Sequence, residues 1–323
     1  MKKSLRALIG TLALLTVPCA TLAQDAYPSR SVRWVVPFPP GGPTDTLSRV
    51  LAAKLADAWN QPVVVDNKGG ASGMIGSEIV AKANPDGYTV MLGTQSTHGS
   101  NAGLFPNMPY DPLKDFQPLT LIGTACLALI VPPETPVDSP KAFVEWVRKH
   151  GKPVNYASVL GSSQHIGGEL FKLRAGIDAT NVPYRGGAAA VQDLMAGRVA
   201  YMFDNLPSAL PLGRAGKIKV LAQTCAVRSP SAADLPTMVE AGFADFVLDG
   251  WYGIFAPART PRPIVDKLNA DIVKALRQPD AMERWKTLGF DPVGSTPEAF
   301  AERQRADLEY WKRLIALTGV KAE

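Results

Sequence analysis

Five short polar or glycine-rich stretches hold the residues with chemistry to offer, and each follows a run that reads as a β-strand. The first, residues 37–45, contains Phe38, Pro40, Gly41, Gly42, Thr44 and Asp45. Its glycines let backbone approach a bound molecule, and Thr44 or Asp45 opens the helix that follows. A helix start presents free N–H groups and a partial positive charge, which hold a carboxylate without any basic side chain. The same residues equally describe a tight strand-to-helix turn with an ordinary cap. No Gly-Lys-Ser/Thr follows, so this is not a phosphate loop, and the spacing of Gly70, Gly73 and Gly76 does not match a dinucleotide fingerprint.

The second stretch, residues 94–101, includes Thr94, Ser96, Thr97 and His98 and is richer in uncharged donors than a turn requires. It suits a small polar ligand, or else is a solvated surface loop. The third combines hydroxyls with an imidazole at Ser158, Ser162, Ser163 and His165. In the fourth, Tyr184 offers a ring to cover a ligand, Arg185 a full positive charge, and Gly186 and Gly187 a bare backbone before a helix. A guanidinium can grip a carboxylate through two parallel bonds, but the paired glycines favour the backbone as the binding element, with Arg185 facing solvent. The fifth is Phe203-Asp204-Asn205, where helix capping is the simpler reading.

Serines near His98 and His165 allow a Ser/His hydrolase to be imagined. The third histidine, His150, sits at an expected helix C-terminus, where the dipole accounts for it. No Gly-x-Ser-x-Gly elbow, His-Glu-x-x-His motif or histidine pair at ligand spacing occurs. Neither an enzyme, a metal nor a cofactor is expected.

These stretches must be positioned by the elements between them. Residues 31–38 are β-branched and aromatic, and Leu47, Val50, Leu51, Leu55 and Trp59 form one helical stripe after the first turn. Strands at 63–65 and 89–93 with a helix at 74–83 complete a βαβαβ pattern, the signature of a parallel α/β unit. The alternation restarts with a long apolar run at 116–131 and a helix capped by Ser139-Pro140. It continues through strands at 154–158, 180–183, 199–203 and 218–225, with helices at 164–175 and 188–196. The tail, one strand at 251–256 and helices at 263–277, 280–288 and 297–317, is too little for a third domain and is expected to pack on the first.

The chain begins with Lys2, Lys3 and Arg6, an apolar run from Ala7 to Val17, and the small Ala23, the grammar of an export signal spanning residues 1–23. That run is shorter than the roughly 20 residues that span a bilayer. Pro18 before Cys19 does not suit lipoprotein processing. Removing the signal takes the net charge from +5 to +2. No basic stripe interleaved with aromatics remains, so nucleic acid is not an expected partner. Only Cys126 and Cys225 survive processing, which is no metal-site spacing.

Several stretches together resemble the substrate-binding proteins of tripartite tricarboxylate transporters, the Bug-type family, from Tyr27 to the C-terminus. They are residues 37–45, 67–76, 84–88 (Asn-Pro-Asp-Gly-Tyr), 182–187, 235–242 (Leu-Pro-Thr-Met-Val-Glu-Ala-Gly) and 251–261. The resemblance implies a two-lobed α/β periplasmic binding protein, a Venus flytrap that closes on a small organic carboxylate and delivers it to integral membrane transporter subunits. The first loop and the Tyr184-Arg185-Gly186-Gly187 loop would be prominent at its cleft. The expected division is lobe 1 at 24–124 and 228–323 and lobe 2 at 125–227, with crossings near residues 123–126 and 224–228. A monomer is expected. A periplasmic sensor subunit needs the same cleft and is the alternative. Cys126 and Cys225 depart from the family pattern. Both fall at expected crossings in an oxidising compartment, so they are either a disulfide or two small buried residues.

Overall fold

A computed structural model describes residues 27–184 and 186–321. The expected export segment and Arg185 lie outside the described residues. β1 (Val32–Val36) leads into α1 (Pro43–Trp59), followed by β2 (Val63–Asn67), α2 (Met74–Ala81) and β3 (Thr89–Thr94). β1 lies between β2 and β3, and both pairings are parallel. Leu47, Leu51 and Leu55 are fully buried against Val32, Trp34 and Val36. Helix positions three and four apart share one face, as do alternate strand positions, so the two apolar stripes meet.

After β3 the stretch anticipated as a polar loop is helical instead. One π-helical segment at Ser96–Ser100 runs into α3 (Asn101–Leu104). The Thr97 carbonyl accepts from the Tyr110 hydroxyl at 2.7 Å, and Thr97 and His98 are wholly buried. Tertiary bonds and burial thus override the polar composition of the segment.

β4 (Phe116–Val131), α4 (Pro140–His150), β5 (Val154–Val159), α5 (Ser163–Ala175), β6 (Ala179–Tyr184) and α6 (Gly187–Met195) come next. β7 (Tyr201–Asn205), α7 (Leu206–Arg214) and β8 (Lys219–Gln223) follow them. β9 (Asp249–Pro257), α8 (Arg262–Leu276), α9 (Pro279–Thr287), β10 (Asp291–Pro292) and α10 (Pro297–Thr318) complete the order. α7 was not legible in the sequence, since it carries Pro211 inside a nine-residue helix, where proline removes a hydrogen bond.

β4 is shared by two sheets. Residues 116–126 pair antiparallel with β9, which pairs antiparallel with β3. Residues 127–131 pair antiparallel with β7 and β8, while β5 is parallel to β6 and β7. Each sheet therefore has a parallel core of three strands finished by antiparallel ones.

Residues 229–248 do not return to the first sheet, where the expected crossing near Thr224 to Arg228 would send them. Met238, Phe243, Phe246 and Leu248 join the apolar cluster of Phe171 and Phe203, with Phe246 stacked on Phe203 at 5.3 Å. The chain re-enters the first sheet only where Asp249 pairs with Cys126. In the tail, Val265, Leu268, Ile272 and Trp285 pack on the first sheet. α10 does more, because Phe300 lies against Trp251 and Phe255 while Trp311, Leu314 and Ile315 join the cluster of Phe171.

Thr224 sits between the two crossings. Its buried hydroxyl accepts from the Leu127 N–H at 2.9 Å and donates to the Leu248 carbonyl at 2.7 Å. Beside it Cys126 and Cys225 are joined by a disulfide, Cα to Cα 5.2 Å, across a sequence separation of 99.

Candidate functional site

The ends of β1, β3, β5 and β7 and the loop after β6 open on one cavity of about 870 Å³ between the two sheets. Ligands bind outside the carboxyl ends of strands in open α/β sheets because loops and helix starts gather there. The first sheet contributes Phe38, Pro40 and Gly42 from the loop before α1, Thr44 from its first turn, Thr94 at the end of β3 and Ser96 just beyond it. The second contributes Ser162, Ser163, Gly186, Gly187 and Asp204. These eleven, drawn from all five stretches, are the sequence-predicted residues that the fold brings together.

Three helices begin at this cavity with no side chain capping them: α1 after Gly42, α6 after Gly186 and α7 after Asn205. Their first N–H groups carry the positive end of each helix dipole, which together favour an anion. α5 differs, since Ser162 accepts from the His165 N–H and donates to the Val159 carbonyl at 2.6 Å. The remaining walls are largely apolar, with Pro39, Leu127, Val159, Val191, Leu212, Leu248, Trp251 and Tyr252.

Asp204 is the penultimate residue of β7 and is 3% exposed. Gln164 Nε2 donates to its Oδ1 at 2.9 Å. Burial pushes its carboxyl up to about 6, against the hydrogen bonds of the Asn205 N–H and Gln164. Among the described residues it is the only Asp, Glu, Lys, Arg or His lining the cavity.

The other predicted residues are engaged elsewhere. Asp45 turns back to accept from the Gly41 N–H at 2.9 Å and pairs with Arg49, so neither Gly41 nor Asp45 lines the cavity. Thr97 Oγ1 lies 2.8 Å from His98 Nδ1, and the imidazole is stacked on Phe255 at 4.0 Å. Burial lowers the His98 pKa to about 3. Ser158 donates to Asn181 at 2.7 Å, and His165 Nδ1 accepts from the Gly161 N–H. The Tyr184 hydroxyl donates to Asp193 at 2.7 Å, and Phe203 is core. Among the described residues neither the His98 ring nor the His165 ring is hydrogen-bonded to a serine hydroxyl.

Residues 47–320 match the family described as tripartite tricarboxylate transporter family receptor. The chain belongs to that family. As a tripartite tricarboxylate transporter receptor it is 36% identical over 319 residues to the protein BugT of Bordetella pertussis, covering 98% of both chains. A Rhodopseudomonas palustris protein solved with adipate is 36% identical, with a TM-score of 0.81 over 91% of this chain and 99% of that one. MatC of Rhodopseudomonas palustris with bound malate is also 36% identical, TM-score 0.76, over 90% of this chain and 100% of that one.

Sequence reasoning about this receptor missed the apolar walls. Leu127, Leu248 and Gly250 sit at the crossings and Trp251 and Tyr252 on β9. Nothing in a strand's alternation says whether a buried face meets a core or a cavity. Gln164 and Asn205 lay within stretches already singled out without being chosen as site residues, and their places in the first turn of α5 and at the cap of α7 were the available signal.

Proposed function

We propose that this receptor is exported to the periplasm, captures a small organic carboxylate between two lobes, and delivers it to the membrane subunits of a tripartite transporter without chemical change. The observation that carries the reading is the convergence of three uncapped helix starts on one largely apolar cavity. Helix dipoles and bare N–H groups take the carboxylate, and the apolar walls take its carbon skeleton. Relatives at 36% identity solved with adipate and malate support the ligand class. The family description as a transporter receptor favours uptake over sensing.

The lobes of this proposal are residues 27–125 with 249–321, and residues 126–248, the second boundary following the packing of residues 229–248. Export rests on residues 1–23 and on the family, and no helix among the described residues is long and apolar enough to cross a membrane. The receptor acts as a monomer.

A melting screen of ligand-stripped protein against dicarboxylates, tricarboxylates, aromatic acids and acidic amino acids tests the reading. A ligand at 100 times its Kd stabilises the fold by about 2.7 kcal/mol, and small-angle scattering should show compaction, because a ligand held by both walls prefers the closed form. If no carboxylate in the panel stabilises the protein, the reading fails.

A further inference from the structure

Asp204 is placed where a ligand carboxylate would have to meet it. A Cβ built on Gly187, the first residue of α6, would lie 3.7 Å from Asp204 Oδ1 and 3.6 Å from Gln164 Nε2. An anion resting on the first N–H groups of α6 therefore stands against the Asp204 carboxyl. Two carboxyl groups in contact and out of water do not both stay ionised; one proton is held between them. Gln164 donates to Oδ1 and the Asn205 N–H also bonds this carboxyl, so its unprotonated form already has donors and the added proton is the one that reaches the ligand.

No described cation is poised to compensate the charge instead. On α5, His165 accepts from Gly161, Glu169 accepts from Tyr156 and pairs with Lys172, and Arg174 lies in the last turn. Asp193 of α6 is held by Tyr184 and Arg198, and Arg214 of α7 donates to the Ser231 carbonyl. β4 carries no Asp, Glu, Lys, Arg or His, and β5 adds only Tyr156, which donates to Glu169. On β7 itself the Tyr201 hydroxyl donates to the Gly168 carbonyl. Across the cavity Asp45 and Arg49 neutralise each other.

We propose that the bound carboxylate shares one proton with Asp204, so that capture at neutral and alkaline pH takes up a proton from solvent. The inference rests on the carboxylate reading above. The proton comes from water or buffer and goes to the Asp204 carboxyl, which donates it in a hydrogen bond to the ligand oxygen; no other bond changes. Burial already holds this carboxyl near 6, and a ligand's charge raises it further.

Titration calorimetry of the ligand-stripped full chain with adipate and with malate, at pH 8 in phosphate and in Tris, reads the proton directly. The two buffers differ in ionisation enthalpy, and the difference in heat should correspond to about one proton taken up per ligand, with affinity falling about tenfold per pH unit between pH 7 and 9. Asp204→Asn should bind with no buffer-dependent heat and with affinity flat over the same range. Binding of either acid at pH 8 without proton uptake overturns the inference while the carboxylate reading stands, and needs no variant. Uptake that persists in Asp204→Asn assigns the proton elsewhere and also overturns it. If neither acid nor any other carboxylate of the panel binds at any pH, the receptor reading falls and takes this inference with it.

Discussion

The two walls of the cavity are built alike, strand ends feeding helix starts, yet they differ in charge. On the wall from β1 and β3 every ionisable group is withdrawn: Asp45 is folded onto Arg49, and His98 is sealed between aromatic rings. On the wall from β5, β6 and β7, Asp204 lines the cavity, almost wholly buried, with an amide for its side-chain partner. Among the described residues, then, the first wall offers dipoles and hydroxyls, whereas the second also offers a group that changes charge. Affinity for anions in general belongs to both walls, and dependence on pH to the second.

The severest disturbance is to cut the covalent link where the walls meet. Cys126 and Cys225 close a separation of 99 residues. In the chain-entropy account, removing the crosslink from a loop of this size costs about 4.7 kcal/mol through the unfolded state. Urea unfolding of Cys126→Ser/Cys225→Ser should show most of that loss, and thiol counting on the denatured, unreduced mature protein should find none free. A loss under about 1 kcal/mol would mean that Thr224 and the strand pairing already supply the constraint.

Two of the buried titratable groups, His98 and Asp204, should act on stability with opposite signs. His98 has its folded pKa lowered to about 3, so the folded state binds fewer protons. The stability it contributes is complete above about 6.5 and is lost as pH falls toward 3, at roughly 1.4 kcal/mol per unit. Asp204, raised to about 6, destabilises the fold at neutral pH and is relieved as pH falls from 6 toward 4, by roughly 3 kcal/mol in all. Between pH 6 and 4 the two nearly cancel. Asp204→Asn should steepen the acid loss of stability and His98→Gln should reverse it, as read by urea unfolding at pH 4, 5, 6 and 7. Identical slopes in both variants and the wild type would remove the charge difference between the walls.

A single methyl group on each wall sharpens the contrast. Gly42 and Gly187 both have backbone angles open to alanine, and the added Cβ meets nothing closer than 3.6 Å at either, so both variants should melt within a few degrees of wild type. The Gly187 methyl enters the gap between α6, Gln164 and Asp204, where the ligand oxygen belongs, while the Gly42 methyl faces only the Pro39 carbonyl at 3.8 Å. Gly187→Ala should weaken carboxylate binding by about tenfold or more, roughly 1.4 kcal/mol, and Gly42→Ala by less than about threefold. Equal losses would place the carboxylate midway between the walls.

Much of this frame was legible in the sequence. The stripe Leu47, Leu51, Leu55 and the glycines after strand-like runs follow periodic and capping rules, which are local and survive any tertiary context. His98 misled because a histidine amid hydroxyls reads as accessible, whereas Phe116 and Phe255, which enclose it, are remote along the chain. The packing of residues 229–248 was hidden for a similar reason: they form no regular element beyond one short 3₁₀ turn, so their allegiance rests on where Phe243 and Phe246 pack. Apolar walls, crossings and burial are properties of pairs distant in sequence, and a single chain read in order does not display them.

The smallest expected effect tests whether the first wall is silent by construction or by cancellation. Asp45 lies in the first turn of α1, where its charge would oppose an incoming anion, but it accepts from Gly41 and pairs with Arg49 four residues on. Arg49 is 54% exposed in its side chain, so the pair contributes under about 1 kcal/mol to stability. Asp45→Asn keeps an oxygen for the Gly41 N–H and leaves Arg49, still bonded to Asn67, without its carboxylate beside a helix start that already favours anions. Carboxylate affinity should therefore rise by about twofold to threefold at low salt, and the gain should vanish near 1 M salt, where the screening length falls to roughly 3 Å. Arg49→Ala should do the reverse. Isothermal titration at two salt concentrations distinguishes the outcomes: a salt-insensitive loss of more than tenfold in Asp45→Asn would make Asp45 a direct ligand, and the first wall would then hold a charged group of its own.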